Sequence, residues 1–124
     1  MKEINKLRQM YIDRYIDLYE EDDYKKGNRI EKNFTKLEEK LIVDPEERKK
    51  MATLLDDDDY RVRYYSACTL ISLFPDKCTK ILKDTMKNGK YLAVDAKYAL
   101  LNYKEGNNYF YNYLNSYEKT NNKC

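Results

Sequence analysis

The chain has 124 residues, 42% apolar and 37% charged, with a net charge of only +2, the bulk profile of one small globular domain. Its longest apolar run falls far short of a membrane span, and MKEINKLRQMY at the N-terminus carries an acidic residue and no apolar block, so it is not read as a signal peptide. There is no histidine, which removes the commonest general base and the commonest metal ligand; Cys68, Cys78 and Cys124 have no paired-ligand spacing, Cys68 and Cys78 lie in apolar-patterned stretches and are expected as buried thiols, and a cytoplasmic location is expected.

The first helix is predicted over about Glu3–Glu20, because Ile4, Leu7, Tyr11, Tyr15 and Leu18 recur at three and four residues. The acidic stretch Glu20–Asp23 suits a helix start better than a helix end. Ile30, Phe34, Leu37 and Leu41 make the cleanest amphipathic stripe, preceded by Gly27-Asn28, which can thin or kink the start of its helix. Asp44-Pro45 is a start signal, with Glu47 completing a capping-box spacing. The short helix it opens turns Met51, Leu54 and Leu55 inward and ends at Asp56–Asp59.

Tyr60 to Phe74 reads as the next helix, with Val62, Ser66, Thr69, Leu70 and Leu73 on one side. Pro75 opens another, carrying Cys78, Ile81, Leu82, Thr85 and Met86 to a stop at Asn88-Gly89. Tyr91 to Tyr103 comes next, with Leu92, Ala96, Ala99, Leu100 and Tyr103 inward. After Gly106-Asn107 a last helix over 107–118 presents Phe110, Tyr113, Leu114 and Tyr117, and residues 119–124 read as a frayed tail. Around that last helix Phe110, Tyr109, Tyr111 and Tyr113 read as exposed, either closing the stack or making a dimer contact; monomer and homodimer are both open.

An internal repeat organises the centre. Val62, Ser66, Thr69 and Leu70 align with Leu92, Ala96, Ala99 and Leu100 at an offset of 30 residues. Both sets read large, small, small, large, and small positions let helices approach closely. A shorter amphipathic helix precedes each copy, so the unit is a helix pair that buries its apolar face by stacking on neighbours. The expected fold is all-α, a short α-α superhelix of about seven helices in one domain over 1–124. It has divergent N-terminal helices over 3–42 and recognisable pairs over 45–74 and 75–104.

The stretch LLDDDDYRVRYYSACTL, residues 54–70, resembles the core of a HEAT repeat, with a paired leucine, an Asp-containing turn and a Val-Arg opening to the second helix. Asp59 or Asp58 caps that helix in this reading, and Arg61 and Arg63 reach the acidic turn or a neighbouring one. From residue 3 to about 106 the chain is similar to a bacterial family of HEAT-like domains of unknown function, DUF2019. The similarity rests on Tyr24–Arg29 after the first helix, on Leu54 to Leu70, and on Tyr91–Ala96 running to Leu100 and Glu105-Gly106. The resemblance implies the fold and no catalytic residue. Related HEAT-like proteins often serve as binding scaffolds, and some small bacterial ones act as immunity proteins.

No catalytic, cofactor or metal residues are expected. Asp56–Asp59 lacks the alternation and glycine of a calcium loop, Ser66 has no histidine to activate it, and Glu38-Glu39 and Glu46-Glu47 read as ordinary helix surface. The candidate partner-binding surface is the second helix of each pair: Arg61, Arg63, Tyr64 and Tyr65, then Lys90, Tyr91, Lys97 and Tyr98. Asn28 and Asp95 stand out as polar positions serving either a structural hydrogen bond or a ligand. Charge is uneven, with residues 1–59 at −4 and residues 60–124 at +6, and ten of fourteen tyrosines lie in the second half. The expected function is non-enzymatic protein–protein interaction, as an immunity or regulatory partner. The alternative is nucleic-acid binding or a DNA-repair association through a basic, tyrosine-rich concave face.

Overall fold

A computed structural model describes residues 2–121, with Cys124 outside them. Every regular element among the described residues is helical. In chain order these are α1 (Lys2–Tyr15), a π-helical turn (Ile16–Glu20), α2 (Tyr24–Ile42), α3 (Pro45–Ala52), a 3-10 turn (Thr53–Asp56), α4 (Tyr60–Leu70), α5 (Pro75–Asn88), a 3-10 turn (Lys90–Leu92), α6 (Ala93–Lys104) and α7 (Tyr109–Asn121). Six of these helices have eleven residues or more, one fewer than the expected seven; α3 is a two-turn segment. The chain divides into two compact units, Met1–Ser66 and Ala67–Cys124, with the boundary inside α4.

In the first unit α1 packs along α2, and α2 against α3. Ile4, Leu7, Tyr11 and Tyr15 are buried as their spacing predicts. The π-helical turn then shifts the face, so that Asp17 is buried and Leu18 only half-buried. A π turn inserts one residue relative to the α repeat and rotates the residues beyond it. Leu18 covers Gly27, where an added Cβ would lie 2.7 Å from Leu18 Cδ2, so this glycine admits a close approach and α2 runs through it unbroken. Asp23 caps α2 by accepting from Lys26 N–H, as the acidic segment suggested.

Phe34 and Leu41 are buried, while Ile30 and Leu37 are half-buried. The correction on this helix is Glu38, expected on the surface. It is buried and accepts a hydrogen bond from the Tyr11 hydroxyl at 2.5 Å. Asp44 accepts from the amides of Glu46 and Glu47 with Pro45 at the first helical position, and Met51, Leu54 and Leu55 are buried.

In the second unit α5 and α6 are the main packed pair. Cys78 and Leu82 from α5 and Leu92, Ala96 and Leu100 around α6 fill its interior. The helix expected to reach Phe74 ends at Leu70, and residues 71–74 form turns in which Leu73 and Phe74 amides donate to Leu70 O. Met86, expected inward, is exposed.

The Asn88-Gly89 stop holds, though Lys90 rather than the glycine takes the left-handed conformation (φ +48°). Gly106 at φ +77° ends α6. Its amide donates to Tyr103 O, and the Asn107 amide donates to Asn102 O, the paired bonds of a Schellman stop. Asn108 caps α7 by accepting from Tyr111 N–H and ties it to Cys68 O through Nδ2. Phe110 and Leu114 are buried and Tyr117 is exposed, which corrects both the exposed reading of Phe110 and the inward reading of Tyr117. Residues 119–121, expected to fray, continue α7; the rest of that tail lies outside the described residues.

Candidate functional site

The repeat positions are interior in both copies. Val62, Ser66, Thr69 and Leu70 are buried, as are Leu92, Ala96 and Leu100, with Ala99 half-buried. The Ser66 hydroxyl donates to Val62 O at 2.8 Å, a backbone contact within its own helix.

The first half of the candidate surface is bound into the first unit. Asp59 caps α4 by accepting from the Arg61 amide at 2.9 Å, and it also takes the Arg61 guanidinium at 3.0 and 2.7 Å. Asp57 receives Arg8 through two nitrogens at 2.7 and 3.1 Å and accepts from the Asp59 amide. Arg63 Nη1 donates to Asp57 O at 2.6 Å. The acidic turn is thus a clasp between α1 and the start of α4. Hydrogen bonding to Arg8 holds the Asp57 carboxyl below the usual carboxylate range, and Arg61 does the same for Asp59. Asp56 is exposed and Asp58 lies toward solvent on the same turn.

The tyrosines of this half face neighbouring rings. Tyr65 stacks on Tyr11 at 5.4 Å between centroids and meets Phe34 edge-on at 5.9 Å. Tyr64, 8% exposed, abuts Tyr65. Arg61 lies 5.2 Å over the Tyr15 ring, and the Tyr60 hydroxyl donates to that of Tyr15. Burial, then the Tyr60 hydrogen bond, keeps the Tyr15 hydroxyl protonated well above its ordinary range. Tyr64 is therefore withdrawn from the candidate surface, and Arg61 and Tyr65 are held by internal partners.

The second half is different. Lys90, Tyr91, Lys97 and Tyr98 are all exposed, Tyr91 at 61% and Tyr98 at 55%. Two exposed apolar residues of α6 beside Lys97 and Tyr98 were missed by sequence reading: Val94 at 62% and Leu101 at 43%. Their signal was present in the spacing, because Tyr91, Val94, Tyr98 and Leu101 recur at three, four and three residues. The inward stripe of the same helix drew attention away from them. Asp95 is half-buried beside this face.

Asn28 is exposed and lines an open groove on α2 with Glu31, Lys32, Thr35 and Lys36. These residues come from one helix, so the groove is a surface furrow. Cys78 is a buried thiol whose pKa burial pushes up to about 12, Cys68 is half-buried, and neither is in a disulfide. A buried thiol of this kind is a poor nucleophile. No cluster of three metal-ligating side chains occurs among the described residues, and no helix of theirs is long and apolar enough to cross a membrane. No family model, curated protein or solved structure matches the chain.

Proposed function

We propose that the chain is a non-enzymatic protein-interaction module, a short HEAT-like α-α superhelix related to the DUF2019 family, acting as an immunity or regulatory partner of another cytoplasmic protein. The observation that carries this reading is the outer face of α6. Val94, Tyr98 and Leu101 of α6, with Tyr91 in the turn that leads into it, present apolar surface to solvent, and exposed apolar groups of this kind mark contact sites. Tyrosine suits such a role, since a large rigid ring adds contact area at little entropic cost.

Co-purification of the tagged full-length chain from its native host tests the reading. A stoichiometric partner, lost on substituting the α6 face, is the expected result. The immunity form further expects a toxin encoded beside this gene whose effect is abolished on co-expression. Capture of no partner at native expression levels would count against the module.

Nucleic-acid binding is the second reading, favoured by nine lysines against five carboxylates in residues 67–124. Arg61 and Arg63, which it would recruit, are engaged with Asp59 and Asp57 O. A salt-sensitive gel shift with duplex or single-stranded DNA would revive it.

A further inference from the structure

The two faces of α6 identify what its outer surface is built to meet. Its inner face, Leu92, Ala96 and Leu100, is buried within the second unit. Its outer face is apolar as well, whereas α5 in the same unit shows solvent Lys77, Lys80, Lys83, Asp84 and Lys87. α5 also exposes Met86, at 39%, and α7 exposes tyrosines, but the exposed aliphatic pair Val94 and Leu101 lies on α6.

The register of those residues is that of a coiled-coil seam. Val94, Tyr98 and Leu101 on α6, with Tyr91 in the 3-10 turn just before it, alternate steps of three and four, the spacing of a and d positions. Lys97 and Lys104, both exposed, fall seven residues apart at the g position that flanks the seam on one side, and exposed Lys90 precedes them by the same interval in the 3-10 turn before the helix. The other flank, position e, carries Asp95 and Asn102. Flanking charges choose the partner in such a seam. Lys97 and Lys104 in one row, with Lys90 just before the helix, select carboxylates opposite them.

Resting on the interaction-module reading, we propose that the outer face of α6 docks one amphipathic helix of a partner protein, with apolar residues at heptad spacing and a flanking row of acidic residues. A second copy of this chain fits less well. Antiparallel pairing of two α6 helices sets lysine row against lysine row, and parallel pairing offers only Asp95 at the facing e positions. The twelve residues of α6 span about 18 Å at the α-helical rise, a little under two heptads. A contact of that length lies at the small end of specific interfaces.

The test uses the full chain and a labelled three-heptad peptide with leucine at both seam positions and glutamate at both flanks, monitored by fluorescence anisotropy. A control peptide carries lysine at the flanks. The glutamate peptide should bind about tenfold or more tightly than the lysine peptide, and should weaken between about 50 and about 500 mM salt. Lys97→Glu with Lys104→Glu should invert the preference. Val94→Ser with Leu101→Ser should abolish binding while the thermal melt stays in place. Equal binding of both peptides, or binding that survives Val94→Ser with Leu101→Ser, overturns the proposal. So does self-association that these substitutions abolish, since the second copy would then be the occupant. A native partner whose binding ignores the α6 substitutions would overturn this inference and leave the interaction-module reading standing.

Discussion

Arg61–Tyr65 on α4 and Lys90–Tyr98 around α6 lie in the equivalent helices of a 30-residue repeat and both carry basic and tyrosine residues, at different positions within it, but their surroundings differ. The α4 segment comes after four aspartates and meets Tyr11, Tyr15 and Phe34, so its arginines find carboxylate and carbonyl partners and its tyrosines find rings. The α6 segment comes after Asn88-Gly89 with no acidic turn, and its lysines and tyrosines stand in solvent. Basic and aromatic residues therefore make a surface only where the local sequence does not draw them inward. Arginine beside a capping aspartate favours clasping, because its planar fork engages two oxygens at once.

This difference is open to a graded set of substitutions. Tyr11→Ala should cost the most, about 3–5 kcal/mol, from the lost ring volume among Phe34 and Tyr65 and the lost donor to buried Glu38. Urea melts of the full chain would measure it. Tyr65→Ala should cost about 2 kcal/mol, since its ring is half-buried and still stacked. A change below about 0.5 kcal/mol there would erase the distinction between the two segments.

Asp57→Asn should destabilise by about 1–2 kcal/mol near neutral pH by breaking the bidentate Arg8 pair. The pH dependence has a definite sign. The folded carboxyls of Asp57 and Asp59 sit below their ordinary range, while unfolded aspartate titrates near about 3.9. The unfolded state therefore binds more protons through that window, and the clasp stabilises fully above it and is lost as pH falls through the folded values. Stability measured from about pH 5 down to about pH 2 should fall less steeply in Asp57→Asn with Asp59→Asn than in the parent chain. Tyr98→Ala belongs at the small end, within about 0.5 kcal/mol in the same melts, because the ring is mostly in solvent.

Much of the helical pattern was legible. Asp44-Pro45, the Asp59 cap, Pro75 and Gly106 mark boundaries through chemistry that acts within a few residues, and the buried stripes at Leu7–Tyr15 and Leu92–Leu100 obey helical spacing. Features that depend on neighbours distant in sequence were not. Glu38 is buried because Tyr11, 27 residues earlier, donates to it. Asp17 is buried because a π turn breaks the α repeat, which no residue-type signal announced. Of the candidate surface, the Arg61–Tyr65 half could have been questioned from its adjacent aspartates alone. Val94 and Leu101 were hidden by a better-known pattern, the inward stripe on their own helix.

The most direct test of the central claim is an amide-shift map of the full ¹⁵N-labelled chain titrated with the glutamate-flanked peptide. Shifts concentrated in residues 90–105, with Arg61–Tyr65 unmoved, are the expected result. Shifts at Arg61–Tyr65, or at the α2 furrow around Asn28 and Thr35, with residues 90–105 unchanged, would contradict the assignment of the working surface to α6.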